Sequence, residues 1–351
     1  MKRLKKLIEW MQELDLDLFI IENPIDLFYF VQVPIHGILL VHAKNSTLFL
    51  DGRYISAFQK EKCFKIKAIS TFSVDPFKKT KMRIGFDSAI TSYERFLKLK
   101  TIVKAKGTLV AQSGFLRKLR SVKDADEIKK ITHACKVNMQ TFNKLIRSIK
   151  VGMTEIDLVK KIKQFYLNFG DIIPSFDPIV AFGKNSAIAH HTPSTRKLKV
   201  GDVILIDMGC IVDHYASDMT RILFFKKTHP KLLKFFELVN RAKESVCTLL
   251  KPGVPLRLLD STCRQIFKRA KVENLFTHSL SHGVGLEIHE YPFIRKTSAS
   301  TELLECGQVI TIEPGLYDPN IGGIRLEDQV VITKNGFKNL TPAQKKPILI
   351  M

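Results

Sequence analysis

Val203-Ile204-Leu205-Ile206-Asp207-Met208-Gly209 reads as a strand in which four aliphatic residues run into a carboxylate. Burying a bare carboxylate is prohibitive, so Asp207 is either paired or held against a cation. A second carboxylate follows in His214-Tyr215-Ala216-Ser217-Asp218-Met219-Thr220-Arg221. With residues 211–214 as the connection, the two strands pair as a hairpin and both aspartates turn to one face. Further strand-like segments lie at 177–182, 215–225, 309–313 and 324–333, with Lys334-Asn335-Gly336 as a hairpin turn. Helical spacing marks 124–149, 154–168, 229–250 and 256–269, and Thr154 is a natural N-cap. Strands and helices are grouped here more than alternated. This predicts an α+β domain over 124–351, with helices on one face of a curved antiparallel sheet.

Residues 1–113 have a different pattern. Leu4, Leu7, Ile8, Met11 and Leu14 fall at helical spacing, and strand-like runs recur at 16–21, 37–42, 47–51, 64–69 and 82–86. Asn23-Pro24 closes the first of these, and helical stretches at 53–61 and 93–100 alternate with the strands. That alternation predicts a smaller α/β domain with a partly parallel sheet, joined through a linker at 114–123.

The 351 residues exceed one usual domain of roughly 100–150 residues. With 45% hydrophobic and 26% charged residues the chain has ordinary globular usage, not that of a disordered or collagen-like protein. No apolar run approaches the ~20 residues of a membrane span. The basic start, Lys2-Arg3-Leu4-Lys5-Lys6, is followed by Glu9, Glu13, Asp15 and Asp17 rather than a signal-peptide core. The six cysteines form no C-x-x-C pair, so reduced thiols and a cytoplasmic location are expected. The net charge of +22 raises nucleic acid as a partner. The lysines are dispersed, however, and no nucleic-acid-binding motif accompanies them. Neither a nucleic-acid nor a membrane partner is expected.

Two more carboxylates sit in strand-like contexts: Glu313 in Val309-Ile310-Thr311-Ile312-Glu313-Pro314-Gly315, and Glu327 in Gly323-Ile324-Arg325-Leu326-Glu327-Asp328. Taken singly, each is an ordinary strand-end acid. Between them and the aspartates lies His278-Ser279-Leu280-Ser281-His282-Gly283-Val284-Gly285-Leu286-Glu287-Ile288-His289, three histidines beside glycines that permit close backbone approach. His190-His191 stand upstream in a loop-like stretch. Four carboxylates with one imidazole suit Mn, Co or Zn better than a thiolate site, and their charge balances two divalent ions. Two such ions about 3.5–4 Å apart lower the pKa of a shared water and polarise a carbonyl. The H-E-x-x-H helix of single-zinc proteases is absent.

Asp207…Asp218, His282-Gly-Val-Gly-Leu-Glu-Ile-His289-Glu, Ile-Glu313-Pro-Gly and Gly-Ile-Arg325-Leu-Glu327-Asp together resemble the proline-specific metallopeptidases of the methionine aminopeptidase/creatinase superfamily. These comprise the Xaa-Pro aminopeptidases (aminopeptidase P) and the Xaa-Pro dipeptidases (prolidases). Asp51-Gly52-Arg53-Tyr54 and the Asn23-Pro24 segment are similar to that family's N-terminal domain, and residues from about 124 onward resemble its pita-bread catalytic domain. The resemblance implies that Asp207 binds one metal, His282 with Glu313 the other, and that Asp218 and Glu327 bridge. It also implies that Glu313 moves a proton, that His190 contacts substrate near the scissile amide, and that His289 steadies the tetrahedral intermediate. Arg325, two residues from Glu327 and so on the same strand face, either holds a substrate carboxylate or orients Asp207. His278 is expected to pack, and Cys210 to sit in the core. Two departures, Ala189 where many relatives have proline and Ser281 where glycine is commoner, remove no ligand.

The resemblance thus implies a dinuclear-metal exopeptidase, with Mn the expected ion, acting as a homodimer on peptides with proline at the second position. Aminopeptidase P is the reading taken, partly on Ser281, which some aminopeptidases P share; prolidase is the alternative. A plain methionine aminopeptidase fits less well because those enzymes usually lack a domain like 1–113. A non-catalytic binding protein and creatinase-like metal-free hydrolysis are both disfavoured by the complete ligand set.

Overall fold

The computed structural model describes residues 2–58, 60, 62–74 and 81–351. The chain divides into two compact units, Met1–Arg120 and Ser121–Met351. In the first, the elements are α1 (Lys2–Glu13), β1 (Leu18–Ile21), α2 (Pro24–Val31), β2 (Gly37–Val41), β3 (Thr47–Leu50) and α3 (Gly52–Ile55). They continue as β4 (Lys65–Ala68), β5 (Met82–Asp87), α4 (Tyr93–Val103), β6 (Gly107–Gln112) and α5 (Phe115–Ser121). The six strands form one sheet in the order β4-β3-β2-β1-β5-β6. β1, β5 and β6 run parallel, as do β3 and β4, while β1-β2-β3 is antiparallel. This is the partly parallel sheet expected.

Three details differ from expectation. Asn23-Pro24 does not merely end a strand. The Asn23 side chain accepts from the Ile25 and Asp26 amides, and Pro24 takes the first helical position, where its missing N–H costs nothing. The segment expected as a linker carries α5. The helix expected over 53–61 is shorter, α3 followed by a 3-10 turn at Ser56–Phe58; Gln59 and Glu61 lie outside the described residues.

The second unit opens with α6 (Ala125–Ser148) and α7 (Glu155–Leu167), followed by β7 (Ile173–Pro174), β8 (Ile179–Phe182), β9 (Val203–Met208), β10 (Cys210–Val212), β11 (Tyr215–Ala216) and β12 (Met219–Phe225). Then come α8 (Pro230–Cys247), α9 (Leu256–Arg269), β13 (Ser281–Gly283), β14 (Glu290–Ile294), β15 (Val309–Ile312) and β16 (Gly315–Asp318). The last strands are β17 (Gly322–Arg325), β18 (Asp328–Thr333), β19 (Gly336–Asn339) and β20 (Ile348–Ile350). One sheet has the order β20-β12-β9-β8 and another β14-β13-β15-β18-β19, with short ribbons β11-β10-β7 and β16-β17 beside them. All these pairings are antiparallel except β12 with β20. The expected turn at 334–336 joins β18 to β19.

β9 is buried along its whole length. Val203 and Leu205 join a cluster with Phe235 and Phe236 of α8 and Leu259 and Phe267 of α9. Ile204 and Ile206 join another with Phe142 and Leu145 of α6 and Leu158 and Ile162 of α7. Both faces of this sheet are therefore covered, which corrects the expectation of helices on one face only. It also explains why the strand reads as an unbroken aliphatic run rather than an alternation. Burying each such side chain contributes about 1.5–3 kcal/mol.

α6 begins with a reciprocal cap: Asp124 accepts from the Glu127 amide, and the Glu127 carboxylate accepts from the Asp124 amide. Asp124→Ala is expected to lower stability by about 1 kcal/mol. The urea midpoint reads this directly, and an unchanged midpoint would show the cap to be dispensable.

Candidate metal centre

A cluster of acids in the second unit gathers residues from several of its strands and their ends. Asp207 is near the end of β9, opposite Thr220 of β12 on one side and Ile179 of β8 on the other. Asp218 immediately precedes β12, two residues before Thr220. Its amide donates to Gln329 Oε1 at 2.9 Å. His282 lies on β13 at a bulge between His282 and Gly283. Such bulges re-aim a side chain. Gly283 is required there because a Cβ would come 2.4 Å from the Tyr291 carbonyl oxygen. Glu313 directly follows β15, and Glu327 occupies the gap between β17 and β18.

That gap corrects one expectation. Residues 324–333 are not one strand; β17 pairs with β16 in a two-stranded ribbon, while β18 joins the five-stranded sheet. Arg325 therefore reaches the cluster from the end of β17, and Glu327 from the connection that leads to β18. Thr220 ties them together: its carbonyl accepts from the Glu327 amide at 3.2 Å, and its hydroxyl donates to Glu327 Oε2 at 2.7 Å. The same hydroxyl accepts from Arg325 Nε at 3.0 Å.

Arg325 is 3% exposed. Its terminal nitrogens donate to Asp207 Oδ2 at 2.6 Å, to Tyr317 Oη at 2.8 Å and to the Ala189 carbonyl at 3.1 Å. The guanidinium thus bonds to one oxygen of Asp207. The other carboxylate oxygen, Asp207 Oδ1, is buried and has no hydrogen-bond partner among the described residues. A buried orphan of this kind points to an absent ligand.

Asp218, His282 and Glu327 each offer a ligand atom, and these lie within 4.8 Å of one another. His282 Nε2 is 3.6 Å from Asp218 Oδ2 and 3.4 Å from Glu313 Oε1. Burial, then repulsion from neighbouring acids, pushes the Asp218 and Glu313 carboxyls well up from the usual range, and Glu327 to about 8. Burial first, then His289, pushes His282 down to about 3, so it presents a neutral imidazole. Acids in such a cluster are reluctant to ionise together unless cations join them.

A cavity of about 470 Å³ opens over this cluster. Its wall includes all eight site residues expected from the sequence: Asp207, Asp218, His282, Glu313, Glu327, His190, His289 and Arg325. The His282 and His289 rings are 4.4 Å apart, edge to face. Burial lowers the pKa of His289, keeping it neutral. His278 also lines the cavity, its ring bonded to Tyr317 Oη and the Ser279 carbonyl, while Cys210 is in the core. Phe176, Ile179, Ile288 and Phe293 supply apolar wall. Thr220, Tyr317 and Gln329 were not singled out from the sequence. Their roles depend on partners roughly 10 to 110 residues away, and only a polar residue on a buried strand, as in Thr220, hints at one.

Compared with family models, residues 129–334 match metallopeptidase family M24 and residues 3–122 match the creatinase/prolidase N-terminal domain. An Xaa-Pro dipeptidase of Pyrococcus furiosus is 33% identical over 349 residues, spanning 98% of this chain and 99% of its own. An Xaa-Pro dipeptidase from Bacillus anthracis has a solved structure similar to this one at TM-score 0.91 and 28% identity, over 99% of both chains. The structure of an X-Pro aminopeptidase from Thermotoga maritima gives 0.87 and 27%, over 99% of this chain and 100% of its own.

Proposed function

The chain belongs to metallopeptidase family M24, and from that premise we propose that it is an Xaa-Pro dipeptidase, a prolidase, hydrolysing the bond before a C-terminal proline. The observation that carries the proposal is the cluster of four carboxylates and one imidazole, with the buried Asp207 Oδ1 left without a partner among the described residues. This donor set fits a pair of divalent ions. Asp207 would hold one, His282 with Glu313 the other, and Asp218 and Glu327 would bridge. Mn is the ion proposed, oxygen and imidazole donors being suited to it.

When bound, the ions supply Lewis acidity and a water that ionises near neutral pH. The chain's own residues do the rest. Arg325 and Thr220 fix the directions of Asp207 and Glu327. Glu313 takes up a proton at a carboxylate oxygen and returns it to the departing proline nitrogen. His289 donates an imidazole N–H to the oxygen of the scissile carbonyl as charge builds on it. His190 holds the substrate near the scissile amide. The apolar wall excludes water, and 470 Å³ lies within the roughly 300–1,000 Å³ range of small-molecule sites.

The Pyrococcus furiosus relative and the Bacillus anthracis structure both carry the dipeptidase name, which favours that reading over aminopeptidase P. The Thermotoga maritima structure keeps aminopeptidase P as the second reading. Paired substrates decide. Chelator-stripped protein restored with Mn, Co or Zn is expected to cleave Xaa-Pro and to leave Xaa-Pro-Xaa intact. Cleavage of the tripeptide would establish the aminopeptidase instead, and no cleavage with any ion would overturn both. A homodimer in the cytoplasm is part of the same proposal, and its mass in solution tests the assembly. Among the described residues no helix is long and apolar enough to cross a membrane, and Cys135, Cys210, Cys247, Cys263 and Cys306 are free thiols.

A further inference from the structure

Glu155 opens α7 with 0% exposure, yet no step of the chemistry above uses it. Its Oε1 accepts from the Phe182 amide at 2.8 Å and Asn185 Nδ2 at 2.9 Å. Its Oε2 accepts from His191 Nε2, the Ser194 amide and the Ser194 hydroxyl at 2.8, 2.8 and 2.7 Å. Five donors fill the roughly four lone-pair positions of a carboxylate. Burial alone would raise its pKa, but the bonds from His191, Ser194, Phe182 and Asn185 outweigh burial and lower it. Glu155 is thus a buried, ionised and fully partnered anion at a helix N-terminus, where the dipole also favours it.

The distribution of these bonds matters more than their number. They fall on both sides of His190: Phe182 and Asn185 before it, His191 and Ser194 after it. The stretch between is fastened a second time, to the acid cluster. Arg325, which holds Asp207, donates to the Ala189 carbonyl, and the Gly323 amide donates to Ser186 Oγ at 2.8 Å. His190 therefore lies on a short span of chain anchored to Glu155 on one side and to the Asp207–Arg325 pair on the other. None of these bonds uses the His190 ring, which lines the cavity.

We infer that Glu155 is a positioning residue: through His191 and Ser194 it sets the loop that carries His190 over the acid cluster. The inference rests on the dipeptidase reading for what His190 touches, but not for the loop geometry.

The test compares His191→Leu, which removes the donor, with His191→Gln, which keeps an N–H, in metal-loaded protein acting on an Xaa-Pro dipeptide. His191→Leu is expected to lower kcat about 10–100-fold, as a displacement of about 1 Å does. Bound metal per chain stays unchanged, because no proposed ligand lies on this loop. Amide hydrogen exchange over 185–194 quickens, and His191→Gln restores most of both. A Glu155 that only stabilises the fold would lower Tm and leave kcat and KM of the folded protein alone. That result, or unchanged exchange over 185–194, would overturn the inference. Ser194→Ala, which removes one donor, gives the same comparison if His191→Leu fails to fold. If the parent protein cleaves no Xaa-Pro dipeptide, the functional reading fails, and loop exchange alone decides the inference.

Discussion

Asp218→Ala protein is expected to bind fewer divalent ions and to hydrolyse an Xaa-Pro dipeptide slower by a factor on the order of 10³ or more. Asp218 is buried among the other candidate ligands. Its amide is tied to Gln329, its carboxylate lies 3.6 Å from His282 Nε2, and it shares a ligand group with His282 and Glu327. In the proposed arrangement it touches both ions, so its loss weakens both. A thousandfold loss corresponds to about 4 kcal/mol of transition-state stabilisation, well within what two-ion chemistry supplies. Chelating the parent protein should give the same loss and restoring metal should reverse it, whereas metal does not rescue the variant. Elemental analysis and initial rates, with exposed Asp171→Ala as control, read both effects. Full turnover in a metal-free Asp218→Ala protein would remove the metal centre from the mechanism.

The metal-free protein should lose stability as pH rises from about 4.5 towards 8, the opposite of ordinary acid denaturation. The sign follows from Asp218, Glu313 and Glu327, whose carboxyls all sit above the usual range; Glu327 moves from 4.5 to about 8. Where the folded pKa exceeds the unfolded one, the folded state holds more protons in the interval between them, so stability present at low pH is lost as pH climbs through it. Burial is the first cause in each case, followed by charge from the neighbouring acids, with Arg325 opposing. Bound cations remove the effect by replacing those protons, so metal uptake should release protons as well. Melting curves of chelated and metal-loaded protein at pH 5, 6, 7 and 8 test this. A chelated protein whose Tm is flat over that range would show that the acids ionise freely without a cation.

Much of the second unit was legible because its chemistry is local. Asp207 and Glu313 each interrupt or end an apolar strand, a pattern visible within seven residues, and the glycines beside His282 announce close backbone approach. The major helices declared themselves by period and caps. What was not legible is where the chain changes sheets. Residues 324–333 have uniform β character, yet Leu326-Glu327 is where the chain leaves one ribbon for another sheet, a consequence of pairing with β16 on one side and β15 on the other. Local periodicity carries no information about such partners. β6 was missed because its residues are only partly buried and alternate weakly. α2 is hidden in the sequence because Asn23-Pro24 has the character of a cap as well as of a strand end. Glu155 looked like one more acid in the first turn of a helix. Its importance comes from a loop nearly forty residues further on.

The chain of bonds from Asp207 through Arg325 and Thr220 to Glu327 has a consequence for how this protein tolerates sequence change. One guanidinium and one hydroxyl bond to two acids far apart in the sequence, so the four residues are coupled. Replacing any one strands a buried partner, and a second replacement then costs less than it would alone. Epistasis of this sign makes single-step drift uphill at every member while leaving concerted exchange open. Libraries varied one position at a time would find these residues invariant; only paired variants would reveal which of them could be exchanged together.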